Sequence, residues 1–292
     1  METQKKPIYK SLLFWEVLIG AAVILGIIIF ILVELNKPLP DIADTSPATL
    51  PTQAETTEAV TEPTFPPPEA NPIGLGDFAT KDGYLSCLTT PSILGIDVSY
   101  WQGYIDWQQV KSAGVEFAMI RAAWRGSEEG ILATDDYVYS NYSGAVNAGI
   151  KVGAYIFSQA ISVEEAIEEA NYLLDIIKDW SVEMPVVFDW EYVSATSRTG
   201  KVDARTLTDC AKAFCETIAA AGYEPMIYFG VDQSFNGIHL EELTDYKFWL
   251  AQYNTVLNYP YKIDMWQYTE TGSVPGISGN VDINLYFPWE EN

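Results

Sequence analysis

From about residue 91 the chain alternates short apolar runs with amphipathic stretches, and few architectures accommodate that alternation. Leu94–Ser99, Phe117–Trp124, Lys151–Ala160, Met184–Tyr192, Pro225–Gly230, Phe248–Asn254, Ile263–Thr269 and Val281–Phe287 read as strands. Several are nearly unbroken apolar runs, the pattern of strands covered on both faces. Thr134–Ala148, Ser162–Trp180 and Asp203–Ala221 read as helices between them. Ser162 and Glu165 have the spacing of a capping box. Leu207, Ala211, Phe214 and Ile218 fall on one helical face. Eight strands with helices concentrated in the first half predict an irregular α/β barrel. No internal repeat is present.

The first 90 residues follow different rules. Leu12–Val33 is apolar except for Glu16, and Val17–Val33 has no polar side chain. That length meets the lower limit of a membrane-spanning helix. Lys5, Lys6 and Lys10 precede it, so the positive-inside rule puts the N-terminus in the cytoplasm and the remainder outside. A cleaved signal peptide is the rival, but its apolar run is shorter, and Val33–Pro38 makes a poor cleavage site. Glu16 sits near the cytoplasmic end, where a charge is cheap. Residues 34–90 are rich in Pro, Thr, Glu and Ala without helix or strand period, and are expected to form an extended linker. The expected organisation is thus 1–11 cytoplasmic, 12–33 transmembrane, 34–90 extracellular linker and 91–292 a barrel domain at the cell membrane.

Charge and residue inventory then exclude function classes. Net charge is -24, and residues 91–292 alone carry 29 acids against 11 bases. Nucleic acid requires a basic patch, so it is not an expected partner. The three cysteines, Cys87, Cys210 and Cys215, are too few for a disulfide framework. Cys210 and Cys215 lie five apart in a helical stretch, which points them to different faces, and Cys210 is expected in the core. The single histidine, His239, stands in a polar stretch and reads as a surface residue. A Ser-His-Asp triad or Cys-His pair needs a placed histidine, and zinc catalysis commonly needs several. No phosphate loop or dinucleotide fingerprint occurs, and no metal or organic cofactor is expected. Carboxylates and aromatics remain, including nine Trp and 18 Tyr. Paired carboxylates are the equipment of glycoside hydrolysis.

The informative carboxylates stand at strand ends. Met184–Tyr192 is an apolar strand ending in Asp189-Trp190-Glu191. Side chains two apart share a strand face, roughly 6.6 Å along the chain, so Asp189 and Glu191 point the same way. Asp97 ends the first strand and Asp282 lies in the last. A closed barrel makes those strands neighbours, which sets Asp97 beside Asp282. In barrel enzymes the chemistry sits at the C-terminal strand ends.

The segment Asp97-Val98-Ser99-Tyr100-Trp101-Gln102-Gly103, followed by Ile105-Asp106-Trp107, resembles the opening motif of family 25 glycoside hydrolases, the lysozymes of N-acetylmuramidase type. Phe117–Ala122, Gly153–Phe157, Asp189-Trp190-Glu191, Ala251-Gln252-Tyr253, Trp266-Gln267-Tyr268 and the Asp282 strand follow in that family's order, over about residues 92–288. The resemblance implies five β/α units plus three further strands, and hydrolysis of the β-1,4 bond between N-acetylmuramic acid and N-acetylglucosamine in peptidoglycan glycan strands. It implies Glu191 as general acid and an ionised Asp189 orienting the substrate's own acetamide. Asp97 and Asp282 would shape the charge around that pair. Tyr155, Tyr228, Gln252, Tyr253, Trp266 and Gln267 are the implied sugar contacts, whereas Trp107 and Trp190 read as packing. Ile156 departs from the family, which often has His there, and so is expected to alter a substrate contact. Strand spacing does not fix stereochemistry, though the acetamide route points to retention. The catalytic domain is expected to be a monomer. Two other readings compete. A chitinase-like glycosidase would carry a further Asp where Val187 stands, and a non-catalytic wall-binding barrel would not need all four acids.

Overall fold

A computed structural model describes residues 65–289. A hairpin of β1 (Phe78–Lys81) and β2 (Tyr84–Cys87) leads into the first barrel strand, β3 (Ile93–Val98). Then follow α1 (Trp107–Ser112), β4 (Phe117–Arg125), the short β5 (Leu132–Thr134) and α2 (Val138–Asn147). After β6 (Lys151–Ser158) come α3 (Val163–Ile177), β7 (Val186–Trp190) and α4 (Ala204–Ala220). The chain continues through β8 (Pro225–Gly230), α5 (Val231–Asn236), β9 (Lys247–Ala251), β10 (Met265–Gly272) and β11 (Val281–Tyr286).

Strands β3, β4, β6, β7, β8, β9 and β10 run parallel in that order. β11 is antiparallel to both β10 and β3 and closes the ring. The architecture is therefore an eight-stranded barrel with five β/α units and three further strands, and β5 hooks onto the edge of β4. Alternation along each strand sorts side chains into two layers. Phe117, Met119, Tyr155, Val187, Met226, Tyr228, Trp249 and Met265 fill the lumen. Ile96, Ala118, Ile120, Phe188, Phe229 and Leu250 face outward, toward the helices and connections around the barrel. Gly95 makes the lumen packing possible: a Cβ there would lie 2.2 Å from the Phe117 ring. On α4, Leu207, Ala211, Phe214 and Ile218 form the buried stripe that their spacing predicts. Cys210 and Cys215 are both buried, and all three cysteines are free thiols.

Several expectations need correction. The stretch 34–90 is not linker throughout. Its end carries the β1–β2 hairpin, joined by Asp82-Gly83, both at positive φ as a two-residue hairpin turn requires. Ile73 and Leu85 are buried, and Phe78 packs edge-on against Trp266 at 4.9 Å. The helix expected from Thr134 begins at Val138, because Leu132–Thr134 is taken up by β5. Only half of the Ser162 capping box forms. Ser162 accepts from the Glu165 amide, but the Glu165 carboxylate accepts from the Ile161 amide and pairs with Arg198 instead. Residues 1–64, including Leu12–Val33, lie outside the described residues; among the described residues no helix is long and apolar enough to cross a membrane.

Candidate active site

Parity along β7 decides where its acids point. Phe188 and Trp190 join the outer layer, so Val187 and Asp189 face the lumen. Glu191 follows directly after the strand on the same side as Asp189. On the far wall, Asp97 of β3 stands directly opposite Asp282 of β11. The four carboxyl groups line one cleft of about 280 Å³ above the lumen plug, together with Tyr155, Tyr228 and Tyr253.

These acids cannot all ionise together. Burial pushes Asp189 well above the usual carboxylate range, and the neighbouring Glu191 charge adds to the effect. Glu191 is also raised, chiefly by desolvation and then by Asp97. Glu191 also meets solvent at the cleft mouth. Asp189 and Glu191 stand close enough that each bears on the acidity of the other. The second pair is raised as well. Asp282 is pushed up to about 9, first by burial and then by the Asp97 charge. Burial raises Asp97, while its bonds from Asn284 and Gln267 oppose the rise.

A polar scaffold holds Asp97 in place. Gln267 Nε2 and Asn284 Nδ2 both donate to Asp97 Oδ2, at 2.9 and 2.8 Å. The Gln267 carbonyl accepts from the hydroxyls of Tyr228 and Tyr253, at 3.0 and 3.2 Å. Asn284 in turn accepts from the Trp249 indole at 2.8 Å. Gln267 is therefore a positioning residue for Asp97. Arg121 lines the cleft while its Nε donates to Asp135 at 2.9 Å, and its charge opposes the rise at Asp189.

Glu191 has its own support. The buried Gln159 amide donates to the Glu191 carbonyl at 2.6 Å and accepts from Thr199. The Gln159 carbonyl accepts from Arg198, which is paired with Glu165. The Gln159 backbone amide donates to Glu169, a fully buried acid paired with Arg125 at 2.6 Å. Burial lifts Glu169 to about 7 against that pairing.

Residues 96–277 match the model of glycosyl hydrolases family 25. The chain belongs to that family. Within it, this chain is 31% identical over 211 residues to Lysozyme M1 of Streptomyces globisporus, covering 68% of each chain. A bacterial lysozyme of Streptomyces coelicolor superposes with TM-score 0.55 at 30% identity, over 68% of this chain and 94% of that one. The modular autolysin LytC of Streptococcus pneumoniae, solved with a synthetic peptidoglycan ligand, superposes with TM-score 0.61 at 24% identity. That match covers 72% of this chain but only 52% of the autolysin, so this family 25 chain spans about half of it.

Not every expected contact of this family 25 member reaches the cleft. Tyr155, Tyr228, Tyr253 and Gln267 do. Trp266 does not: it alternates with Gln267 on β10, so it faces outward, is fully buried, and donates to the Gln252 carbonyl at 2.8 Å. Gln252 braces its own loop by accepting from the Asn258 amide. Ile156 is buried in the outer layer and does not line the cleft. Trp107 and Trp190 pack as expected. Sequence reading missed Asn284, Trp249, Glu270 and Arg121. Asn284 had a legible signal, since it is two residues from Asp282, which barrel closure sets beside Asp97.

Proposed function

We propose that the protein is a lysozyme-type peptidoglycan hydrolase that cuts the β-1,4 bond between N-acetylmuramic acid and N-acetylglucosamine. One observation carries the reading. Asp189 lines the cleft beside Glu191, and its buried Oδ1 has no hydrogen-bond partner. A buried carboxylate oxygen calls for a donor, and the acetamide N–H of a bound sugar supplies one. That bond favours ionised Asp189, and Glu191 carries the proton. Glu191 then protonates the glycosidic oxygen as the C–O bond breaks, and the acetamide oxygen attacks the anomeric carbon from the other face. Water opens the resulting cyclic cation, and Glu191 takes up its proton. Asp97 supplies fixed negative charge near the developing cation. Retention follows from the two displacements.

Leu12–Val33 is proposed as a single membrane span, N-terminus inside, with the following linker carrying the barrel to the wall. Its apolar length and the preceding lysines support this. Protease added to intact cells should remove the barrel while sparing an N-terminal tag; a barrel that resists would reverse the topology.

The decisive assay is digestion of purified peptidoglycan by the full-length protein beside Glu191→Gln, with mass spectrometry of the reducing ends. Reducing N-acetylmuramic acid is expected, with about 10²–10⁴-fold less product from the variant. Reducing N-acetylglucosamine would keep a glycosidase and overturn the bond. No cleavage by the folded wild type would favour a binding barrel.

A further inference from the structure

Beside the catalytic cleft lies a recess of about 380 Å³. It shares Trp101, Arg121 and Phe157 with the cleft, so the two form one continuous groove. Tyr100, Trp101, Trp124 and Phe157 supply its aromatic walls. Three of these rings are open to water: Trp101 is 73% exposed, Trp124 38% and Tyr100 37%. A contiguous exposed aromatic surface of this kind marks a binding groove.

A backbone irregularity puts Trp124 there. On β4, Arg121 stands opposite Tyr155, but Ala123 stands opposite Ile156, so Ala122 is an extra residue. One added residue flips every side chain that follows to the other face. With regular pairing, Trp124 would share the outward parity of Ala118 and Ile120. Instead it lies beside Phe157 on the groove side, and Arg125 turns outward to Glu168 and Glu169 of α3. The recess floor is also fixed, since the Arg121 guanidinium is held by Asp135 and lies over the Tyr100 ring at 4.9 Å. Asp136 adds an exposed carboxylate at the edge.

We propose that this recess is a second carbohydrate subsite, which holds a further sugar of the glycan strand beyond those flanking Glu191. The inference rests on the muramidase reading above. A pyranose presents a flat C–H face to aromatic rings and hydroxyls at its rim. Trp101, Trp124 and Phe157 fit the face, and Asp136 fits the rim. Continuity with the cleft selects a sugar of the same strand as occupant. The recess then makes the enzyme favour long glycan over short fragments.

The test compares kcat/KM of the full-length protein on peptide-free octasaccharide and tetrasaccharide of alternating N-acetylglucosamine and N-acetylmuramic acid. Trp124→Ala should lose about tenfold on the octasaccharide, with the tetrasaccharide rate little changed. Trp124→Phe should restore most of the preference, because it keeps a flat ring. An unchanged preference in Trp124→Ala would overturn the subsite and leave the muramidase reading standing. Equal losses on both substrates would assign Trp124 to the fold and overturn it too. A loss confined to peptide-bearing glycan would put a stem peptide, not a sugar, in the recess. A wild type that cleaves neither oligosaccharide nor wall would remove both readings.

Discussion

Asp282 is an acid that the fold keeps protonated. Its pKa rises from 3.8 to about 9 because it is buried against the Asp97 charge. The unfolded chain releases that proton near the ordinary carboxylate range, whereas the folded chain keeps it to about 9. Between those limits the folded state binds more protons, so stability falls as pH rises. The contribution is full below the unfolded value and gone above the folded one. Asp282→Asn removes this slope while keeping a donor toward Asp97. The expected outcome is a Tm that exceeds wild type by a few degrees at about pH 8, with the gap closing toward about pH 4. Thermal unfolding across that range checks it, and a gap independent of pH would contradict it. Activity should fall in the same variant, since functional sites hold residues that are costly to the fold.

At the level of elements, the site depends on how β6 and β7 are tied together behind the cleft. Gln159 follows β6 and holds the carbonyl of Glu191, which follows β7. Glu191 lies beyond the last paired residue of its strand, so this side-chain bond replaces ladder pairing. Gln159→Leu keeps the volume but leaves the Glu191 carbonyl and the Thr199 hydroxyl without that partner. The cost to stability should be about 1–3 kcal/mol. The informative readout is kinetic. A loosened acid should lower kcat by roughly tenfold with KM little changed, because misplacement affects the transition state more than binding. A rise in KM alone would mean that Gln159 shapes substrate binding instead.

At the level of the molecule, the barrel has a lid on its side that the Pro- and Thr-rich composition conceals. The β1–β2 hairpin covers Trp266, and Asn71 ties the approaching chain to Pro260 and Tyr259. None of the residues of this strap lines the cleft. A protein starting at residue 65 should therefore fold and keep the site intact. One starting at residue 91 loses the Ile73, Phe78 and Leu85 contacts, each worth roughly 1.5–3 kcal/mol when fully buried. Its unfolding midpoint in urea should fall well below that of the longer protein. Equal midpoints would show that the hairpin adds nothing to stability.

The eight barrel strands and the three long helices between them were readable from apolar period, because a strand covered on both faces must be apolar throughout, whereas the short α1, α5 and β5 were not. So was the neighbourhood of Asp97 and Asp282, since closing a barrel joins its first strand to its last. Asp82-Gly83 was a hairpin signal in plain view, masked by the composition around it. Strand parity would also have separated Trp266 from Gln267, which cannot both face a lumen. Other features had no local signal. The extra Ala122 is visible only against the register of β6, and it alone decides that Trp124 meets the groove and Arg125 the helices. The shifted acidity of the four carboxyls was likewise beyond the sequence. Asp97, Asp189, Glu191 and Asp282 have similar intrinsic acidity, and only burial and mutual distance, set by strands far apart in the chain, raise them.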